Sequence, residues 1–176
     1  VEALNAKQIK VSFSKEIEAL TAANVSVVEI ANTTTNAVAD IEISADKKSA
    51  VLTLTNAYRV STDVAVTVDG VAVKGSVKET FAKFSKVVTI NDTTAPAIAS
   101  VTAKTSTTAA QSVTVEVSEP LKSTPVFKIN GTTATVTQVS PTVYVLTGLN
   151  LAAGKEHSLE VIGMEDYADH KVAIAT

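Results

Sequence analysis

Apolar and polar residues alternate with period two along most of the chain. Ile9-Lys-Val-Ser-Phe13 puts Ile9, Val11 and Phe13 on one face, and Ile41 and Ile43 alternate with Asp40, Glu42 and Ser44. Leu52-Thr-Leu54 and Val64-Ala-Val-Thr-Val68 follow. The habit returns in Val113-Thr-Val-Glu-Val117, Val143-Tyr-Val145 and Leu159-Glu-Val161. This is the signature of half-buried strands. Between the runs lie turn residues: Asn32–Asn36, Asp46–Ser49, Asp69-Gly70, Asn130-Gly131 and Ala153–Lys155. Asn-Gly and Asp-Gly suit type I′ hairpins, whose two central residues both need positive φ. Such spacing predicts a sandwich or barrel. Helical periodicity is weak. One helical turn is expected over Glu16–Ala23, and a second over Val77–Phe84 competes with entry into a strand through Val87–Ile90.

The pattern occurs twice. Ile9–Phe13 followed by Ser14-Lys15 matches Val113–Val117 followed by Ser118-Glu119-Pro120-Leu121, an offset of about 104 residues. Leu54-Thr-Asn56 matches Leu146-Thr-Gly148, and Val66–Gly70 matches Leu159–Gly163, at offsets of about 92–93. A shift of that size is a loop-length difference inside a repeated module, since loops tolerate insertion. The stretch Asn91-Asp-Thr-Thr-Ala-Pro96 then reads as a joint. Pro96 lacks a donor and drives Ala95 toward extended backbone. The expected organisation is one β-sandwich over 1–91, a linker over 92–96 and a second sandwich over 97–176. A short linker without Gly restricts the angle between modules more than a Gly/Ser tether would.

Composition sharpens this reading. Hydrophobic residues make up 45% but aromatics only 4%, with no Trp. The interior must therefore rest on Val, Ile, Leu and Ala, the first two of which favour pleated surfaces. A net charge of −3 and few rings to stack on bases argue against nucleic-acid binding. The lack of Trp argues against a sugar-stacking platform. With no Cys, disulfides, thiolate catalysis and cysteine metal sites are excluded. No apolar run reaches the ~18 residues of a membrane helix, and no signal peptide opens the chain. Val1 begins inside a strand-like run, so the chain reads as an excerpt from a longer one.

The segments KQIKVSFSKEIE and SVTVEVSEPL, the closing stretch LNLAAGKEHSLEVIGMEDYADHKVA and the joint DTTAP resemble the tandem immunoglobulin-like domains of surface-layer proteins of bacilli. The resemblance spans nearly the whole chain. In one place it departs from the family, whose Asp-x-Ala-Gly-Asn before the last strand reads Asp166-Tyr-Ala-Asp-His170 here. What the resemblance implies is two all-β Ig-like sandwiches with no enzymatic activity, acting as spacers and lattice contacts. Copies of the same protein would be the partners, in a self-assembling array outside the cell, on its surface. Anchoring to wall polymers would lie outside this fragment, without membrane insertion. Bacterial adhesins and wall-associated enzymes use similar modules, so a ligand-presenting pair is the alternative.

Site chemistry is sparse. His157 and His170 are the only histidines, both near turns, and no nucleophile elbow accompanies them. Glycines stand singly in turns, so no phosphate loop is expected. No cofactor is required and no residue is assigned as a metal ligand. Calcium is the candidate cation, because it takes several oxygen ligands. Asn91 and Asp92 lie at the joint, and Glu119, Asp166 and Asp169 lie in loops of the second module. The competing reading makes these acids solvated turn residues. Sequons at Asn24, Asn32, Asn91 and Asn130 are what chance provides in a chain rich in Asn and Thr. Tyr58, Tyr144, Phe81 and Phe84 are expected in cores.

Overall fold

A computed structural model of the chain describes residues 1–76, 78–104 and 111–176. It divides into two units, Val1–Thr93 and Thr94–Thr176. No helix among the described residues is long and apolar enough to cross a membrane.

The first unit comprises β1 (Glu2–Asn5), β2 (Gln8–Ser12), β3 (Val25–Glu29), β4 (Val38–Ile43), β5 (Ser49–Leu54), β6 (Thr62–Val68) and β7 (Phe84–Ile90). They form two antiparallel sheets, ordered β1-β2-β5-β4 and β3-β6-β7. The alternating residues are the ones that meet between the sheets. Ile9, Val11, Leu52 and Leu54 of one sheet and Val27, Val64, Val66 and Ile90 of the other are all fully buried. Each such side chain contributes about 1.5–3 kcal/mol relative to exposure. Phe13 stacks obliquely on Phe81, ring centroids 5.2 Å apart, and meets Phe84 edge-on. Tyr58 is half-buried against the same interior.

Polar groups inside this unit are paired. Asn36, in the turn before β4, is buried and clamps Asn56: its Nδ2 donates to the Asn56 carbonyl and its Oδ1 accepts the Asn56 N–H. Buried Gln8 donates to Thr53 Oγ1 and accepts from Asn5 Nδ2.

Two local expectations need correction here. Asp69-Gly70 closes no two-residue hairpin. Val68 faces Phe84 across β6 and β7, so the intervening residues form a long excursion. It stays out because it has packing of its own: Val71 is buried, Val73 bridges Ile17, and Phe81 sits on Phe13. Asn24 Nδ2 caps the start by donating to the carbonyls of Asp69 and Gly70. The helical turn expected over Glu16–Ala23 is a single 3₁₀ turn at Ala22–Asn24, because Ile17 pairs as an isolated bridge instead. The turn expected over Val77–Phe84 begins outside the described residues; 78–83 are not helical, and Phe84 opens β7.

The second unit comprises β8 (Ile98–Lys104), β9 (Ser112–Val117), β10 (Val126–Ile129), β11 (Thr132–Thr133), β12 (Thr135–Ser140), β13 (Val143–Thr147), β14 (Leu159–Glu165) and β15 (Lys171–Ala175). Its sheets run β12-β13-β9-β8 and β11-β10-β14-β15. Strand for strand this repeats the first unit, with β8, β9, β12 and β13 standing for β1, β2, β4 and β5. β10, β14 and β15 stand for β3, β6 and β7, and β11 is an addition. Asn130 and Gly131 both take positive φ (50° and 78°), and Ile129 pairs with Thr132 across them, the expected Asn-Gly hairpin. Val113, Val115, Val117, Phe127, Leu146, Val161 and Met164 are buried together. In β13 the inward residues are Tyr144 and Leu146, while Val143 and Val145 lie half-buried on the other face. Tyr144 packs on Phe127 with centroids 5.3 Å apart.

Candidate functional site

Most of the chemistry-bearing side chains of the second unit gather at the β14–β15 turn. The core-directed alternation of β14 ends at Met164, and the chain must reverse before β15. Asp166 makes the reversal. Its carboxylate is completely buried, and Oδ1 accepts the N–H groups of Ala168 and His170, each at 2.8 Å. Oδ2 accepts from His170 Nδ1 at 2.8 Å, and the Asp166 N–H donates to the His170 carbonyl. One buried acid thus closes its own turn, since a carboxylate offers about four acceptor positions.

Asp169 completes the geometry. Its φ is +75°, the left-handed region. This is the position where the resembled pattern carries Gly, and Asp is among the few residues that tolerate that region singly. The departure from Gly-Asn to Asp-His therefore leaves a tight turn in place.

Around it lies a charged fringe. Lys122 Nζ donates to Glu165 Oε1 at 2.8 Å and is also ion-paired with Asp169. Lys171, directly across the hairpin from Glu165, approaches it at 3.4 Å. The hydrogen bonds that Lys122 donates to Asp169 and then to Glu165 raise its pKa above the ordinary value. That from Lys122 is the main cause holding Glu165 below its own. Leu121 bridges Asp166 through the backbone, so the Glu119–Lys122 segment lies against the turn, with Glu119 itself buried.

Asp166 and Asp169 share this turn and Glu119 is buried in the segment beside it, so none of the three is simply a solvated acid. Asp166 is occupied by backbone donors and an imidazole, and Asp169 by an ammonium. Asp92, in the first unit, accepts the Ala6 N–H on Oδ2 at 3.0 Å, and Asn91 is exposed. Lys122 and Glu165 were not singled out from the sequence. The charge opposition of Glu165 and Lys171 across a predicted hairpin was the available signal for Glu165.

The other histidine sits elsewhere in the second unit. His157 Nδ1 is 2.8 Å from Asn130 Nδ2, and Nε2 is 3.1 Å from the Ala152 carbonyl. An amide donor on Nδ1 and a carbonyl on Nε2 fit the tautomer with its proton on Nε2. Asn130 Oδ1 also accepts the Ser158 N–H, so this imidazole braces two turns. Of the sequon asparagines, Asn24 and Asn130 use their side-chain amides to tie distant segments together, and Asn32 accepts the Thr34 N–H within its own turn. A cleft of about 290 Å³ lined by Ile129, Asn130, Thr132, Gly148, Leu149 and Asn150 lies beside the Asn130 turn.

Residues 2–89, half of the chain, match the family described as bacterial Ig-like domain. The chain belongs to that family. Its strands are antiparallel, and the buried residues form two apolar clusters in the first unit and one in the second. No curated protein matches the chain. Among solved structures, it is similar to the N-terminal part of the bacterial S-layer protein SbsC, at 18% identity and a TM-score of 0.47. That comparison covers 90% of this chain and 42% of the other. It is also similar to domains 1–6 of surface layer protein SbsC, at 15% identity and a TM-score of 0.49, covering 97% and 30%. The Ig-like chain thus spans less than half the length of either structure.

Proposed function

We propose that this chain is a structural segment of a cell-surface array, two Ig-like sandwiches that act as spacers and offer contacts to other copies. The observation that carries the reading is the repetition of one strand order in both units, beside turn side chains that are taken up in the fold's own hydrogen bonds and ion pairs. Asp166 closes its own turn, Lys122 pairs with both Glu165 and Asp169, and His157 ties Asn130 to Ala152. A serial module whose turn acids and imidazoles are held in local pairs suits a mechanical role better than turnover. The resemblance of KQIKVSFSKEIE, SVTVEVSEPL and DTTAP to surface-layer modules points to the same role, non-enzymatic and extracellular.

The test is negative-stain electron microscopy of the protein that carries these modules, in added calcium and in chelator. Ordered sheets are the expected result. Sheets in both conditions leave assembly to protein contacts alone; sheets only in calcium assign the acids a bridging role. Dispersed particles in both conditions overturn the lattice reading and leave a ligand-presenting module.

A further inference from the structure

The edges of the second unit are not equally defended. An open strand edge is a template for pairing with another chain, and proteins usually blunt it with charges, bulges or short strands. In the first unit β4 carries Asp40 and Glu42 in its middle, and β1 has only four residues. β8 differs. Among the described residues it ends its sheet, pairing with β9 alone, and its one irregularity lies at the start, between Ile98 and Ser100. From Ser100 to Ala103 it carries no charge, and Lys104 closes it.

Its exposure is unusual as well. Val101 and Ala103 stand opposite Val115 and Val113, on the face that builds the core. Val115 and Val113 are buried, at 0% and 4% exposure, whereas Val101 is 49% exposed and Ala103 is exposed too. The apolar row of the inner face therefore runs out past its cover. On the opposite face Ser100, Thr102 and Lys104 alternate, and Ser100 Oγ donates to Glu116 Oε2 at 3.0 Å.

We propose that β8 is an interaction surface for a second copy of this chain, which adds its own β8 antiparallel about a two-fold axis at Thr102. In that register Thr102 faces Thr102 of the second copy, and Val101 faces its Ala103. Antiparallel partners share a face, so the exposed apolar row becomes continuous across the junction, Val115 and Val101 leading to Ala103 and Val113 of the second copy. On the other face Lys104 of each copy falls beside Ser100 of the other. Glu116 lies one strand further, about 10 Å away between Cα atoms, within the joint reach of the two side chains. Two symmetric Lys104–Glu116 pairs result. The edge is self-complementary in shape, polarity and charge, and the residue that blunts it against strangers becomes the one that selects its own kind. The inference goes beyond the array reading by naming an edge and a register.

The chain has no Cys, so one introduced thiol reports the register. Directly opposed residues of antiparallel strands lie about 4.5–5.5 Å apart at Cα, inside the disulfide range. Full-chain Thr102→Cys is expected to oxidise to a covalent dimer. Val139→Cys, on β12 and 58% exposed, serves as the control and is expected to stay monomeric at the same concentration. Adding Lys104→Glu to the Thr102→Cys chain should cut cross-linking about tenfold, and further adding Glu116→Lys should restore it. Equal yields from the two thiols, or indifference to charge reversal, overturn the proposal. Sheets on the grid without a Thr102 cross-link reject β8 and keep the array; the cross-link without sheets does the reverse.

Discussion

The phenol of Tyr144 offers a test of how the second unit is held together. Tyr144 is fully buried, its ring lies on Phe127, and among the described residues no group hydrogen-bonds its hydroxyl. A buried hydroxyl that loses water and gains no partner costs about 1–3 kcal/mol. Tyr144→Phe deletes that oxygen and keeps the ring, so the second unit should gain about 1 kcal/mol. For a unit of this size that is a rise of about 4–8 °C in Tm. Burial also raises the Tyr144 pKa above 10.0. The group then contributes stability that is fully present below that value and is lost as pH rises through the folded pKa, because only the unfolded phenol ionises readily. Scanning calorimetry of wild type and Tyr144→Phe, near neutral pH and again at about pH 10–11, should show the mutant melting higher at neutral pH and its advantage widening in alkali. A mutant that melts lower by a similar amount at neutral pH would mean the hydroxyl is bonded in the fold, and the argument from burial would fall.

Two further outcomes follow from the β14–β15 turn. Asp169→Val forces a β-branched residue into positive φ and should cost the second unit about 1–2 kcal/mol, whereas Asp169→Gly should stay within about 1 kcal/mol of wild type, trading backbone ease for the Lys122 pair; urea denaturation measures both. Glu165 is held below its ordinary pKa of 4.5, chiefly by Lys122. Its contribution is present above that value and lost as pH falls through the folded pKa, so the stability gap between wild type and Glu165→Gln should close on acidification and narrow in high salt.

Much of the fold was legible because sandwich strands obey a local rule. Ile9, Val11 and Phe13, and likewise Val64, Val66 and Val68, are buried as their alternation requires. Asn130-Gly131 was legible for the same reason, since two residues settle a type I′ turn. Asp69-Gly70 carries the same kind of signal and misleads, because contacts to Phe13 and Ile17, far back in the chain, hold the following residues away from a hairpin. The site was half visible. Asp166 and Asp169 read as turn acids, but the role of Lys122 depends on a loop and a strand 43 residues apart coming together. The exposure of Val101 was invisible in principle, since IASVTAK alternates no differently from a covered strand.

One property of the topology bears on mechanics. In each unit the first strand lies in one sheet and the last in the other, β1 against β7 and β8 against β15, and all four are edge strands. A pull on the two ends of a unit therefore grips opposite layers. Two ladders share the load, one in each sheet: β1–β2 and β6–β7 in the first unit, β8–β9 and β14–β15 in the second. Tension along the chain thus reaches both layers of each sandwich at once, and the apolar side chains between them couple the two.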